Sequence, residues 1–289
     1  MKYLILGSRG NLGSALMSLA STRPEVKMIG WDSTEVDITD FILLQKKINK
    51  LKPDVIINTV AYNRVDECEV SEEAYSQAKL LNVETVKKLG EMALANSATL
   101  ITYSSDYVFG GSPKENNEGY DENSITSPLN RYGMTKVEGE KELVRLSGMG
   151  LSYYIIRTSK LFGPKADSPA AKPGFFEIMK NKALEKEVRV VDGEKSCFTY
   201  TPDLAEASLQ LLEESLPVGF YHLINTGPVT WYEAVKYFYE KIGAQVDLKP
   251  ISPQELDRPA KRPTSSILLN TKRPPLRSWQ EALDEYLTL

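Results

Sequence analysis

Through the first 160 residues, short apolar runs alternate with longer stretches whose apolar positions recur every three or four residues. The runs KYLIL (2–6), VKMIGW (26–31), DVIINTV (54–60), ATLITYSS (98–105) and LSYYIIRT (151–158) are rich in β-branched and aromatic residues and read as strands. Asn11 to Ser21, FILLQKKINKL (41–51), roughly 71–95 and a segment holding YGMTK (132–136) carry helical spacing. Strands that are apolar throughout and separated by helices require a parallel sheet covered on both faces. The pattern therefore predicts an α/β fold, a doubly wound parallel sheet of the Rossmann type, over residues 1–160. Residues 161–289 form a smaller part, from which some chain can return to the sheet. In it, 203–215 and 230–242 read as helices, and the proline-marked stretches 163–174 and 250–263 as loops.

Composition narrows the choice of class. A chain of 289 residues, 42% hydrophobic and 26% charged, is long enough to bury a full core. Its net charge of −4 and the absence of a basic block argue against a nucleic-acid partner. Two cysteines, Cys68 and Cys197, make no disulfide framework, so a reducing compartment is expected. The apolar run at the N-terminus is too short for a signal peptide, and no stretch reaches membrane-spanning length. A cytoplasmic protein with no membrane partner is the expectation. His222 is the only histidine and reads as a packing residue. The acidic runs at 66–73 and 115–122 read as solvated faces, and no spacing asks for a metal.

Chemistry enters at the loop after the first strand, G-S-R-G-N-L-G, with glycines at 7, 10 and 13. Glycine lets the backbone approach a pyrophosphate, and the N–H groups opening the next helix face its charge. The dinucleotide site is assigned to Gly7, Arg9, Gly10, Asn11, Leu12 and Gly13, with Asp32 at the end of the second strand, where a carboxylate can hold an adenosine ribose. Arg9 would favour the 2′-phosphate of NADPH and Asp32 would favour NADH, so the cofactor is NADPH or NADH. The fourth strand ends in YSSDYVFGG (103–111), which places two hydroxyls and the Asp106 carboxylate beyond the sheet, Ser105 as the candidate to bond a substrate and Ser104 read as part of a capped turn. Tyr132 and Lys136 stand one helical turn apart and share a face. A free phenol has a pKa of about 10. A neighbouring ammonium would lower it, letting Tyr132 give a proton to a carbonyl oxygen while Ser105 holds that oxygen. Tyr237 and Lys241 repeat the spacing but lie beyond the sheet.

Together these residues resemble the extended short-chain dehydrogenase/reductase family. The segments DVIINTVAYNRVDECE, SSDYVFGG, YGMTKVEGE, RTSKLFG and RPAKRPTSSIL are similar to its dTDP-4-dehydrorhamnose reductase branch, nearly end to end. The resemblance implies NAD(P)H-dependent reduction of the C4 ketone of a nucleotide-linked 6-deoxysugar, with a mainly substrate-binding part at 161–289, and a homodimer. It implies catalytic roles for Ser105, Tyr132 and Lys136, Tyr132 and Lys136 also meeting the cofactor. Asp37 and Ile38 match the pair beside the adenine, and Asn58, Val60 and Ala61 the stretch under the cofactor. Val65, Asp66, Asp106, Tyr107, Lys160 and Arg262 line the sugar pocket, Arg262 and Ser265 lying in the segment that closes it.

This chain departs from the branch at three places. Lys160 stands where tryptophan is common, Phe198 where proline is usual, and Asn63 and Arg64 replace small or hydroxylated residues. The resemblance thus implies an aromatic sugar platform lost and two cations, Arg64 and Lys160, gained. Either the ketosugar carries extra negative charge, or the substrate is the ordinary one and the cations are surface residues. A nucleotide-sugar epimerase or dehydratase, and a non-catalytic NADP-binding regulatory subunit, remain alternatives on the same scaffold.

Overall fold

Strands form where the sequence is apolar on both faces, and the sheet they build is covered on both. The computed structural model describes every residue except 111–118, 167 and 169–172. Along the first half, β1 (Lys2–Leu6), α1 (Asn11–Ser18), β2 (Lys27–Trp31), α2 (Phe41–Leu51), β3 (Val55–Asn58), α3 (Val65–Val70), α4 (Glu72–Lys79), α5 (Thr85–Ala95), β4 (Thr99–Ser105), α6 (Arg131–Ser147) and β5 (Tyr153–Thr158) follow one another. The remainder holds β6 (Leu161–Phe162), α7 (Phe175–Lys182), β7 (Glu187–Val191), β8 (Thr199–Tyr200), α8 (Thr201–Glu213), β9 (Gly219–His222), β10 (Asn225–Thr226), α9 (Trp231–Ile242), β11 (Asp247–Ile251), β12 (Leu276–Ser278) and α10 (Trp279–Tyr286). The central sheet has six parallel strands in the order β2-β1-β3-β4-β5-β9.

Alternation along β1 shows the double winding directly. Tyr3 and Ile5 pack with Leu12, Leu16, Leu204 and Leu209 of α1 and α8, whereas Leu4 and Leu6 pack with Leu44, Ile48, Leu89 and Leu143 on the other face. The order reverses at β1, whose neighbours β2 and β3 leave in opposite directions, so a ligand crevice opens beyond the carboxyl ends of β1 and β3. The second half returns one helix, α8, and one strand, β9, to this layer. Its own core is aromatic: Phe162, Phe176, Phe198, Tyr200, Phe238 and Trp279.

Several elements differ from the sequence reading. The first helix ends at Ser18, and a 3₁₀ turn over Leu19–Thr22 completes it. The helix expected over 71–95 is α4 and α5 joined by one π turn, Leu80–Glu84. That wide turn seats Asn82, which is buried and holds the loop before α3: its amide accepts from Tyr62 N at 3.0 Å and donates to Tyr62 O at 3.0 Å and Thr135 Oγ1 at 2.9 Å. The six-residue α3 was too short to show a period. Neither acidic run is merely solvated. Glu69 accepts from Arg131 N at 3.0 Å and Asp66 is ion-paired. Of 115–122, residues 115–118 lie outside the described residues, while Glu122 is buried and bonds Thr271 and His222 N. His222 itself is buried, its Nδ1 at 3.1 Å from Leu269 O, and burial with Arg157 nearby pushes its pKa down to about 3. Among the described residues no helix is long and apolar enough to cross a membrane, and no group of three His, Cys, Asp or Glu could hold a metal.

Candidate active site

The glycine loop is shaped by crowding. Gly7 takes a left-handed backbone (φ 77°), and a Cβ on Gly13 would lie 2.0 Å from Gly7 O, so β1 and α1 can meet this closely only with glycine at 13. Gly10 offers no side chain to cap α1, which leaves the N–H groups opening the helix, from Asn11, Leu12 and Gly13, suited to an anion. The loop after β3 backs it: Asn58 is buried and accepts from Val60 N at 3.1 Å, while Thr59 Oγ1 donates to Leu6 O at 2.8 Å. Val60 is half-buried and Ala61 exposed beside it. Arg9 and Asp32, the two opposed cofactor determinants, are ion-paired at 3.1 Å. Bonds from Thr34 N and Oγ1 hold the Asp32 carboxyl below its usual range, with Arg9 assisting. Asp37 is held low in the same way by Thr39, and Ile38 packs into the sheet layer.

Ser105 ends β4, and α6 runs past it. Asn130 caps α6 by accepting from Gly133 N at 2.8 Å. Glycine beside the tyrosine has a steric cause: a Cβ on Gly133 would lie 2.2 Å from Tyr107 O. The close approach brings Tyr132 against the strand end, both it and Lys136 being buried. Ser105 Oγ donates to Asp106 Oδ1 at 3.0 Å, accepts from Tyr107 N at 3.1 Å, and also interacts with the Tyr132 phenol. Lys136 Nζ donates to Tyr103 O at 2.8 Å.

The electrostatics correct the sequence expectation. Burial raises the Tyr132 phenol above its ordinary value, Ser105 opposing the rise, and the Lys136 cation does not offset it. The low dielectric acts instead on the lysine, which burial pushes down to about 8 against the pull of Glu140. Glu140 is itself fixed, accepting from Arg157 Nε at 3.0 Å and Nη2 at 2.8 Å in a buried pair. Tyr132 thus keeps its proton through the neutral range, the form that a proton donor needs, while Lys136 is a cation below about pH 8.

The residues assigned to the sugar converge around Asp106 and Tyr107. Arg262 grips Asp66 through two bonds of 2.6 Å, Ala260 N adds a third at 3.2 Å, and Arg262 also interacts with Tyr107. Val65 packs with Tyr107 and Tyr132, whose rings meet edge to face at 6.1 Å. Asp106 Oδ2 accepts from Ser159 at 2.8 Å and Ser266 at 2.6 Å. Ser266, not Ser265, is therefore the serine of the closing segment that enters this cluster, while Ser265 bridges Lys195 through its backbone. Ser159, Ser266, Asn82 and Thr135 escaped the sequence reading. A signal was present only for Asn82, a polar residue inside an apolar helical stretch.

The two added cations separate. Arg64 is 51% exposed and paired with Glu67 at 3.1 Å on the surface. Lys160 Nζ lies 4.0 Å from the Trp231 ring centroid and 5.1 Å from Phe198. Aromatic surface is therefore present beside Lys160, supplied by other elements. Tyr237 and Lys241, which repeat the motif spacing, both bond Asp284 between α9 and α10, away from the crevice.

A doubly wound sheet with a glycine loop at its switch point and a Ser–Tyr–Lys group at the end of β4 defines a dinucleotide-binding protein of the short-chain dehydrogenase/reductase type. The RmlD substrate binding domain model matches residues 1–289, and the chain belongs to that family. A dTDP-4-dehydrorhamnose reductase of Streptomyces griseus is 33% identical over 296 residues, covering 98% of this chain and 92% of that protein. The crystal structure of a dTDP-4-dehydrorhamnose reductase from Clostridium acetobutylicum superposes with a TM-score of 0.90 at 33% identity, covering 100% and 99% of the two chains. One from Bacillus anthracis, in complex with NADP, superposes with a TM-score of 0.89 at 29% identity, covering 99% and 98%.

Proposed function

We propose that the protein reduces the C4 ketone of a nucleotide-linked 6-deoxysugar at the expense of NADPH or NADH, as the names of its relatives describe. The observation that carries the reading is the meeting of Ser105, the buried phenol of Tyr132 and Lys136 at the end of β4, beside the crevice lined by the glycine loop. The reduced nicotinamide supplies the hydride. Gly7 to Gly13 with Asn58 to Ala61 would hold the dinucleotide, Asp37 and Ile38 flanking its adenine. Arg9 can turn from Asp32 to a 2′-phosphate, whereas Asp32 can bond a 2′-hydroxyl. Tyr132 keeps its proton through the neutral range and delivers it to the ketone oxygen as that oxygen gains charge. Ser105 steadies the same oxygen, and the Lys136 cation stabilises the phenolate left behind. Val65, Asp66, Tyr107 and Arg262 enclose the sugar and exclude water. The homodimer and the cytoplasmic location belong to the same reading.

Incubation with dTDP-4-dehydrorhamnose and NADPH tests it. One cofactor is expected to be oxidised per sugar, with deuterium from a 4-deuterated cofactor appearing at C4 of the product. Cofactor that is recycled without net oxidation would make the protein an epimerase or dehydratase instead.

A further inference from the structure

Lys160 presents an amino group that the fold buries and leaves unused. It sits at the bend from β5 to β6 with φ 41°, a left-handed backbone that is uncommon for lysine. Its Nζ is buried and has no hydrogen-bond partner among the described residues. The faces of Trp231 and Phe198 lie against it, but a ring replaces only part of the hydration that an ammonium with three donors gives up.

The acidic groups that face Lys160 come from several elements, and each is already committed. Asp106 accepts from Ser105, Ser159 and Ser266. Glu194 is clamped by Arg258. Glu233 closes the cap of α9, accepting from Thr230 N at 2.9 Å. With the Cys197 thiol, these are the groups whose fields reach Lys160, and none forms an ion pair with it. Their fields favour the ammonium against the cost of burial, but because none of them bonds it, its three donors stay unspent. Asp106 also ties the position to the reacting centre, since it is bonded to Ser105 beside Tyr132.

We propose that Lys160 is a specificity-determining residue whose ammonium donates hydrogen bonds to neutral hydroxyls of the sugar, with Trp231 packed behind it. The proposal rests on the reductase reading for its substrate class. Because Asp106, Glu194 and Glu233 already face the position, it favours an uncharged sugar over one carrying extra negative charge.

The test is the Lys160→Met variant, probed in turnover with dTDP-4-dehydrorhamnose and NADPH, and in thermal unfolding with dTDP or dTDP-rhamnose. KM for the sugar is expected to rise about 30-fold, the size of a lost charge-assisted hydrogen bond, with kcat within threefold and NADPH affinity unchanged. The unliganded variant should melt above the wild type, because an unpaired buried charge has gone. The extra stabilisation that dTDP-rhamnose gives over dTDP should be present in the wild type and lost in the variant. An unchanged KM, or an equal sugar-dependent increment in both proteins, overturns the proposal. A variant that melts below the wild type also overturns it, making Lys160 a structural cation. Failure of the wild type to oxidise either NADPH or NADH would sink the reductase reading instead, and the dTDP-rhamnose increment would then decide Lys160 alone.

Discussion

Replacing Tyr132 with phenylalanine is expected to lower kcat about a thousandfold while leaving the Kd for NADPH within about threefold. A thousandfold corresponds to about 4 kcal/mol of barrier, within the range a positioned general acid supplies. The change removes one oxygen from a side chain packed against Tyr107 and Val65, so the ring contacts that fix α6 remain. The lost oxygen is the one that meets Ser105, and no other described side chain at the end of β4 can deliver a proton as readily. Asp106 is spent on three hydroxyls, and Lys136 is directed at Tyr103 O. Stopped-flow oxidation of NADPH measures the first quantity and fluorescence titration the second. Turnover within tenfold of the wild type would mean that the proton comes from elsewhere.

The second large effect is expected at Gly13→Ala. A Cβ at 2.0 Å from Gly7 O overlaps backbone, and backbone cannot swing aside as a flexible side-chain end can. Relief requires α1 to withdraw from β1, which moves the N–H groups of its first turn away from the pyrophosphate. Affinity for NADPH should fall at least 100-fold, or about 2.7 kcal/mol. Stability should fall as well, because Leu12 and Leu16 leave the core with the helix. Titration of the folded variant, its far-ultraviolet circular dichroism first matched to the wild type, gives the answer. A Kd within threefold would show that the dinucleotide is held elsewhere.

What the sequence disclosed follows the range of the interactions involved. The strand bounds of β1 and the helix bounds of α2 are readable because their apolar periods are long and uninterrupted. The glycine loop and the Tyr132–Lys136 spacing are readable because both are local. The π turn at Leu80–Glu84 was not, since it arises from Asn82 reaching back to Tyr62 and across to Thr135, contacts 20 and 53 residues away. The Asp106 cluster was hidden for the same reason: Ser266 joins it from 160 residues further along the chain. The pKa of Tyr132 was misjudged because spacing places Lys136 on the same face but says nothing of burial, which outweighs the cation. Likewise the charge of Lys160 was visible, while the burial of its amino group and the three carboxyl groups that face it were not.

The pH dependence of kcat/KM tests the proton-transfer account most directly. Burial keeps the Tyr132 phenol protonated, and Lys136, lowered to about 8, is a cation below that pH and loses its charge above it. The account predicts a rate constant level from pH 6 to 7 that falls through a single-proton limb at about 8. A rate that climbs with pH between 7 and 10, as an ionised phenol acting as the working form would give, contradicts it.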